Sequence, residues 1–242
     1  MSVNFFGIEF KGTEREGVLK FGDGIRFVIT VNAEFVVEAQ KDSSFRALIN
    51  SNYATFDGQV PLIIAKCIQF FRRDKSFIEK VSGSDLIFDV MRISSGKKHK
   101  VFLLGDNDAN NSKAIDVARN SFDVDCKGFS PPFEDFPFSS QTNELIFKRI
   151  AEFSPEFLFV AFGAKKQELW IADNLDLLEN LGVKWVVGCG GSIAFLSGNV
   201  RRAPVIVQKL GGESFFRLFQ EPKLFRFKRI FKSFLIFKYV FK

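Results

Sequence analysis

The sequence predicts an α/β fold, in which helices cover both faces of a mainly parallel sheet. Short apolar runs of strand length alternate along the chain with longer amphipathic segments. The runs are continuously apolar, which is typical of strands buried on both faces. Strict alternation of strand and helix implies parallel strands joined by crossover helices, so we expect a Rossmann-like sandwich. A chain of 242 residues, 46% of them hydrophobic, is long enough to bury such a core.

The predicted strands are short. Four continuous apolar runs form them, at residues 27–31, 101–104, 157–162 and 185–187, and a further short strand precedes Asp57. The N-terminal stretch SVNFFGIEFKG, followed by GVLKFGDG, predicts a small β element at one edge of the sheet.

The segments between the strands have helical spacing. In AEFVVEAQKDSSFRALI, one face of a helix over residues 33–49 can carry Phe35, Val36, Ala39, Phe45 and Leu48. Further helices are predicted at 60–72, 84–93, 112–120, 143–153 and 167–181. Pro155 ends the helix at 143–153, because proline disfavours a helical conformation in the residue before it.

The chain divides by charge into a neutral body and a basic tail. Residues 221–242 hold seven basic residues and one acid, which accounts for the whole net charge of +6. We therefore predict an α/β domain over residues 1–220, with a boundary between two lobes near 77–96, and a separate tail over 221–242.

The tail has the pattern of an amphipathic helix. One face can carry Leu224, Phe227, Phe231, Phe234 and Leu235, and the cations project elsewhere. The tail lacks the run of about twenty apolar residues needed to cross a bilayer. The pattern predicts a helix that lies flat on an anionic membrane surface. The tail could instead pack against the protein's own core.

In another alternative, the chain is a small-molecule-binding α/β protein whose tail pairs with a helix of a partner. An exposed aromatic tail would also suit a homo-oligomer. Nucleic acid is disfavoured, because the aromatics form a stripe and do not stand as separate stacking platforms.

Glycines follow three of the predicted strands. Gly105, Gly163 and Gly188 each stand directly after an apolar run. Ligands of open α/β sheets bind beyond the carboxyl ends of the strands, and glycine lets the backbone approach them. The three glycines predict a cleft for a phosphate or a nucleotide. A tight turn at each is the alternative.

Several classes of site are disfavoured. The single histidine, His99, lies in the polar run SSGKKHK, and we expect it to be a solvated loop residue. There is no G-x-x-x-x-G-K-[ST] and no G-x-G-x-x-G, which disfavours P-loop NTPases and dinucleotide-dependent enzymes. Asp106 and Asp108 have a D-x-D spacing that could bind Mg²⁺, but Asp108 could equally cap the next helix. We expect no cofactor and no metal.

Asp57 and Gly58 lie between a strand and a helix. An aspartate in this position often caps the helix. It could also be a carboxylate at the cleft that removes a proton from a hydroxyl group. The local sequence favours the cap.

Longer motifs in the second half of the chain resemble a known family. They are FVAFGAKKQELWIADN, VVGCGGSIAFLSGNVRRAP and GGESFFRLFQEP, followed by a basic end. In that order they resemble the WecG/TagA/CpsF family of bacterial glycosyltransferases. The stretches ITVNAEFVVEAQKD, Asp57-Gly58, VSGSDLIFDVM and KVFLLGD follow the family's order in the first half.

The resemblance implies an inverting, metal-independent transferase. It would move a sugar from a UDP-sugar to a polyprenyl-diphosphate-linked saccharide. With the membrane-seeking tail, this predicts a peripheral protein that acts at the cytoplasmic face of the membrane. Asp57 becomes the expected general base. The implied substrate-binding residues are Thr30 and Asn32 beside it, Gly163, Lys166, Gln167 and Glu168 facing the donor, Gly190 and Gly191 flanking the nucleotide, and Arg202, Arg217 and Arg226 meeting diphosphate charge.

Some positions depart from the family pattern. Ile193 and Ala194 stand where the pattern has an aromatic residue and an aspartate, Lys165 where it has proline, and Ser214 where it has tryptophan. If the absent aspartate reads the nucleotide base, donor recognition here is altered. The departure at Ala194 also favours an alternative, a non-catalytic scaffold of the same fold that docks at the membrane.

Overall fold

The computed structural model describes residues 2–220, 222 and 224–240. Within that range, the side chains of Val205, Lys209, Phe225, Arg226, Arg229 and Val240 are outside the description. The diphosphate role predicted for Arg226 therefore falls outside the described side chains.

The chain has an α/β fold built on a six-stranded sheet. The strands are β3 (Arg26–Val31), β4 (Tyr53–Phe56), β5 (Lys100–Gly105), β6 (Asp125–Phe129), β7 (Phe157–Ala161) and β8 (Trp185–Gly188), in the order β4-β3-β8-β7-β5-β6. In this order, the pairs β3-β8, β8-β7, β7-β5 and β5-β6 are parallel. A separate antiparallel pair, β1 (Val3–Phe5) and β2 (Ile8–Phe10), forms the small N-terminal β element. The predicted fold class is confirmed.

Helices connect and cover the strands. In the described part of the chain they are α1 (Arg15–Leu19), α2 (Ala33–Lys41), α3 (Ser43–Ser51), α4 (Gln59–Arg72), α5 (Gly83–Ser94), α6 (Asp108–Phe122), α7 (Ser140–Phe153), α8 (Lys166–Asp173), α9 (Leu175–Asn180), α10 (Ser192–Leu196), α11 (Val205–Lys209), α12 (Glu213–Gln220), α13 (Leu224–Phe234) and α14 (Phe237–Val240). As predicted, α7 ends at Phe153, two residues before Pro155, and its C-cap residue, Ser154, has a positive φ of 49°.

The chain forms two compact units. The first contains the described residues of Met1–Leu19, Ile29–Ser82 and Arg201–Lys242, and the second contains Lys20–Val28 and Gly83–Val200. Strand β3 contributes residues to both. The lobe boundary predicted near 77–96 and the separate tail at 221–242 stay predictions.

The core of the second unit is aromatic. Phe157, Phe159 and Trp185 are fully buried, and the rings of Phe157 and Phe159 lie 5.6 and 5.5 Å from the Trp185 ring. Burying a large apolar side chain contributes roughly 1.5–3 kcal/mol. Continuous burial along β5, β7 and β8 is what the unbroken apolar runs predicted.

In the first unit, β2 and β4 meet through their aromatics. The rings of Phe10 and Phe56 stack at 3.8 Å between centroids, and both are completely buried. The predicted β character of GVLKFGDG is wrong, because residues 15–19 form α1, which buries Val18.

Two predicted helices are each split in the structure. The helix expected over 33–49 is interrupted at Asp42, whose carboxylate accepts hydrogen bonds from the backbone N–H groups of Ser44 and Phe45, both at 3.0 Å, and so caps α3. After this break Ile49 is buried, and Leu48 is only half-buried. The helix expected over 167–181 breaks at Asn174 into α8 and α9.

The predicted tail helix forms α13, and one side of it packs on α2. Lys232 Nζ lies 3.0 Å from Glu38 Oε2 and 3.5 Å from Glu34 Oε1. Just beyond α13, Ile236 is fully buried, whereas Phe231 stays 71% exposed. The tail therefore combines packing against its own unit with an exposed aromatic stripe. In the described residues, every helix is too short or too polar to span a bilayer.

Candidate functional site

The strand-end glycines of the second unit share one edge of the sheet. Strands β5, β7 and β8 are parallel neighbours, with Gly105 opposite Ala161 and Gly188 opposite Val160. Their carboxyl ends, where α/β sheets bind ligands, therefore lie side by side.

Two of these glycines have a packing reason to be glycine. A Cβ on Gly105 would lie 2.9 Å from the carbonyl oxygen of Ala161. A Cβ on Gly188 would lie 2.7 Å from Gln167 Nε2 and would collide with Glu168 Oε1. Close packing alone therefore explains why both positions are glycine. The ligand cleft that the sequence predicted at them stays a prediction.

Gly163 and Gly190 differ from that pair. Each has a positive φ, +95° and +52°, and a Cβ on either would meet nothing within 4 Å among the described residues. Both backbones border open space in the second unit. These two turns fit the backbone approach to a ligand that the sequence predicted.

The turn after β7 is held by its own polar side chains. Lys165, at φ +67°, donates its backbone N–H to Glu168 Oε2 at 2.7 Å, and α8 begins at the next residue. Gln167 donates its backbone N–H to the carbonyl of Gly163 at 3.1 Å. The charged cluster that follows the strand therefore builds the turn.

Gln167 also joins this turn to the one after β8. Its side chain is buried; Oε1 accepts a hydrogen bond from the backbone N–H of Gly190 at 3.1 Å, and Nε2 donates to Glu168 Oε1 at 2.8 Å. Glu168 is buried as well, at 1% exposure. The amide group of Gln167 fixes the loop that leads to Gly191, the residue at the N-cap of α10.

Cys189 lies between these turns and is not suited to nucleophilic chemistry. Burial raises the pKa of its thiol well above the usual range, and the negative charges of Asp106 and Glu168 raise it further. The thiol stays protonated at neutral pH, and only the thiolate is a strong nucleophile.

Asp106, the first acid after β5, organises its own loop. Asp106, at φ +58°, accepts hydrogen bonds on Oδ1 from the backbone of Asn107 at 2.7 Å and the side chain of Asn110 at 2.9 Å. Asn107, and not Asp108, caps α6, so the alternative role considered for Asp108 is wrong. No group of three potential metal-binding side chains occurs among the described residues. Metal independence stays a prediction.

Asp57 in the first unit follows β4 and is not a helix cap. Its backbone N–H donates to the carbonyl of Val31 at 3.0 Å, and Gly58, at φ +90°, takes the N-cap position of α4. The half-buried side chain of Asp57 thus lies at the end of its strand, one residue before the N-cap position that the local sequence favoured for it.

The residues predicted to lie beside Asp57, Thr30 and Asn32, each have a structural role. Thr30 is buried in β3. Asn32 caps α2, because its Oδ1 accepts a hydrogen bond from the backbone N–H of Phe35 at 3.0 Å. Both lie within two residues of the end of β3, next to the strand that leads to Asp57.

The predicted diphosphate-binding arginines contact neighbours of the first unit. Arg202 Nη2 donates to Gln208 Oε1 at 3.3 Å and lies 4.0 Å from Glu213 Oε1. Glu213 also lies 3.8 Å from Lys80 Nζ. Glu213 belongs to one of the motifs of the sequence, but its position between Arg202 and Lys80 was not predicted. Arg217 is half-buried on α12.

His99 is part of a small polar cluster in the second unit and is not a solvated loop residue. Its Nδ1 lies 2.9 Å from Glu156 Oε2, and its ring meets Phe21 and Phe157 edge-on. Lys184 Nζ donates to the other carboxylate oxygen at 3.1 Å. The single histidine therefore has a structural partner.

Comparison with known proteins now decides the family. The sequence profile of the Glycosyl transferase WecG/TagA/CpsF family matches residues 3–242. The chain belongs to this family. It is also similar to two Staphylococcus aureus proteins named N-acetylglucosaminyldiphosphoundecaprenol N-acetyl-beta-D-mannosaminyltransferase. One, from strain MRSA252, is 29% identical, and one, from strain NCTC 8325 / PS 47, is 30% identical; each similarity covers 98% of this chain and 91% of the relative.

This WecG/TagA/CpsF glycosyltransferase departs from the family's sequence pattern at one position where its backbone conformation excludes the usual residue. Lys165 stands where the family pattern has proline, yet it has φ +67° and donates its N–H to Glu168. Proline fixes φ near −65° and has no N–H. The turn after β7 in this chain is therefore incompatible with proline. At the other departures, Ile193 and Ala194 are buried in α10.

Proposed function

We propose that this glycosyltransferase moves a hexose of the N-acetylmannosamine type, or a related one, from a UDP-sugar to a polyprenyl-diphosphate-linked saccharide. The observation that carries the proposal is the similarity, over 98% of the chain, to relatives named for mannosaminyl transfer to N-acetylglucosaminyldiphosphoundecaprenol. The activity belongs to the making of a surface polysaccharide or a cell-wall polymer.

The proposed chemistry is a single inverting displacement. The carboxylate of Asp57 takes the proton of the acceptor hydroxyl, whose oxygen attacks the anomeric carbon as the bond to UDP breaks. Support comes from the position of Asp57 at a strand end with the N-cap of α4 taken by Gly58. Thr30 and Asn32 line the same strand ends and contact the acceptor sugar.

The donor is held at the strand ends of the second unit. Gly163 and Gly190 let the backbone meet the UDP-sugar, with Gly105, Lys166 and Gly191 beside them. Gln167 and Glu168 hold these turns in place, which the hydrogen bonds around Gln167 support. Arg202, Arg217 and Arg226 bind diphosphate, because guanidinium groups match its oxygens bidentately.

The enzyme works as a peripheral protein on the cytoplasmic face of the membrane. The exposed aromatic stripe of α13 and the cations of residues 221–242 support contact with anionic lipid. Phe227 and Phe231 are 44% and 71% exposed although they are large apolar side chains.

The test is product analysis by mass spectrometry. The purified full chain is incubated with a prenyl-diphosphate-linked N-acetylglucosamine acceptor and a panel of UDP-sugars. We expect a product one N-acetylhexosamine heavier with one donor of the panel, and the Asp57→Asn protein as a control should yield far less of it in the same time. An unchanged acceptor with every donor would overturn the proposal.

A second candidate is a non-catalytic scaffold of the same fold. The observation in its favour is Ala194, where the family pattern has an aspartate. Calorimetric titration with the panel of UDP-sugars separates the two candidates, because the enzyme binds its donor and a scaffold binds none of them.

A further inference from the structure

Helix α4 presents two apolar faces. One is buried and includes Leu62, Ile64 and Ala65. The other is exposed and follows the three-and-four spacing of a helical stripe that consists of Ile63, Cys67, Phe70 and Phe71 and is interrupted by Lys66. A surface helix of a soluble domain normally has one apolar face, so the second one needs a partner outside its own unit.

The end of the exposed stripe is its most apolar part. Phe70 and Phe71 are 80% and 83% exposed, and their rings form an edge-on pair at 5.7 Å. Phe77, in the segment that follows the helix, is 61% exposed. Clustered exposed aromatics on a soluble domain mark a surface that contacts a protein or a membrane.

Cations surround this aromatic end. Lys66, Arg72, Arg73 and Lys75 are all exposed. The one acid among residues 59–75 is Asp74, and its Oδ1 accepts hydrogen bonds from the backbone N–H and the hydroxyl of Ser76, at 2.8 and 2.7 Å. Residues 59–75 therefore have a net charge of +3. Aromatic side chains ringed by Lys and Arg suit the interface of an anionic bilayer.

A second copy of the chain suits this surface less well. Symmetric pairing would place the same patch on both sides of the contact. Each copy would then bring its four cations against the four of the other, and like charges across an interface oppose association.

The same unit carries the exposed stripe of the tail. Both α4 and α13 contact α2, and α12 contacts α13. Further exposed apolar side chains lie on α11, α12 and α13 or directly after α11: Ile206, Leu210, Phe215, Phe219, Leu224 and Phe231. The end of α4 thus belongs to the unit for which membrane contact is already proposed.

We propose that residues 66–77, the end of α4 and the segment after it, form a second membrane-inserting element that enters the interface of an anionic bilayer. This rests on the proposed function only for the presence of a membrane, and it adds a contact distinct from residues 221–242. Phe70 and Phe71 enter the acyl boundary, and the four cations meet lipid phosphate.

Insertion is tested with a tryptophan placed in the element. The native Trp170 and Trp185 are buried, so Phe71→Trp adds the one exposed indole of the described chain. With vesicles of phosphatidylglycerol and phosphatidylcholine, we expect a blue-shifted emission from the Phe71→Trp protein and strong quenching by brominated lipid. The matched control is Phe133→Trp, at a position 98% exposed, which should show neither change.

Affinity is tested with the Phe70→Ser/Phe71→Ser double variant of the full chain. Its partition onto the same vesicles should fall about tenfold or more, from the lost apolar area. The Phe133→Ser protein should bind like the wild type. Transfer to a short-chain, water-soluble acceptor should be unchanged in the double variant, so that a failure of this proposal is distinguishable from a failure of the proposed function.

Three outcomes would overturn the proposal. The first is wild-type vesicle partition of the double variant, and the second is unquenched Phe71→Trp emission in protein that sediments with the vesicles. The third is a wild-type dimer in analytical ultracentrifugation that the double variant loses, which would assign the surface to a second copy of the chain.

Discussion

Gln167 Oε1 accepts a hydrogen bond from the backbone N–H of Gly190 at 3.1 Å. This bond links the turn after β7 to the turn after β8, two adjacent strand ends of the second unit. The buried amide group also donates to Glu168, which in turn holds the backbone of Lys165. One side chain therefore sets the relative position of two loops that we assign to the donor.

Replacing Gln167 should weaken both stability and transfer. In Gln167→Ala the half-buried N–H of Gly190 and the buried carboxylate of Glu168 each lose a hydrogen-bond partner, which costs about 1–3 kcal/mol of unfolding free energy. The displaced loop should lower kcat/KM about a hundredfold. Chemical denaturation and a transfer assay measure the two effects. Gln141→Ala, at an exposed position of α7, is the control. A Gln167→Ala enzyme with wild-type stability and turnover would show that the bond is dispensable.

Restoring the family's proline at position 165 should damage this chain. Lys165→Pro removes the N–H that Glu168 accepts and excludes the φ of +67°, so we expect a loss of about 3 kcal/mol or more. Lys165→Gly tolerates the same φ and should be stable or slightly stabilised. Thermal unfolding of both variants is the measurement. A Lys165→Pro protein that melts with the wild type would mean that the turn adopts another conformation.

The Glu156 cluster predicts a pH dependence of stability. Burial alone would raise the pKa of this carboxyl, but the hydrogen bonds from His99 and Lys184 outweigh it and hold the pKa below its usual 4.5. A group with a lowered folded-state pKa stabilises the fold above the unfolded-state value and loses that contribution as the pH falls through the folded-state value. The advantage of wild type over Glu156→Gln should therefore be present at pH 7 and should shrink as the pH falls below 4.5 and through the lowered folded-state pKa.

Because the carboxylate is partly exposed, the difference should be only about 0.5–1 kcal/mol at pH 7. Urea unfolding at pH 7 and at pH 3.5 measures it, with Glu144→Gln, at an exposed site, as the control. A Glu156→Gln deficit that is equal at both pH values would show that the carboxylate charge is not what stabilises the cluster.

Exposed aromatics of the tail should determine part of the vesicle affinity. Phe231→Ser removes a side chain that is 71% exposed and leaves the Lys232 contacts with Glu34 and Glu38 in place. Cosedimentation with anionic vesicles should fall severalfold, from the lost apolar area, and it should fall further as salt screens the remaining cations. If Phe231→Ser binds like wild type at every salt concentration, the tail stripe is not a lipid contact.

The sheet could be predicted because its central strands are recognisable from short stretches of the sequence. Residues 101–104 and 185–187 are unbroken apolar runs, which suit strands covered on both faces. Strand β6 escaped prediction, because Asp125 and Lys127 alternate with Cys126 on an edge strand that is buried on one side only. The break between α2 and α3 escaped as well, since the helical spacing continues through the cap at Asp42.

The strand-end positions of the candidate site residues were predictable, but their contacts were not. Strand ends follow from the apolar runs, so the sequence located Asp57 and Gly163. The bond from Gly190 to Gln167 joins residues 23 apart in the chain, and no local pattern reports such a pairing. The exposure of Phe70 and Phe71 could not be predicted either, because the sequence of a helix that is apolar on both faces does not indicate which face is buried.

Asp57→Asn tests the central claim most directly. The amide keeps the size of the carboxylate but cannot take a proton, so we expect transfer to fall by about 10²-fold or more, while unfolding and UDP-sugar binding stay close to wild type. Asp116→Asn, an exposed change on α6, should transfer normally. An Asp57→Asn enzyme that transfers the sugar at the wild-type rate would contradict the account.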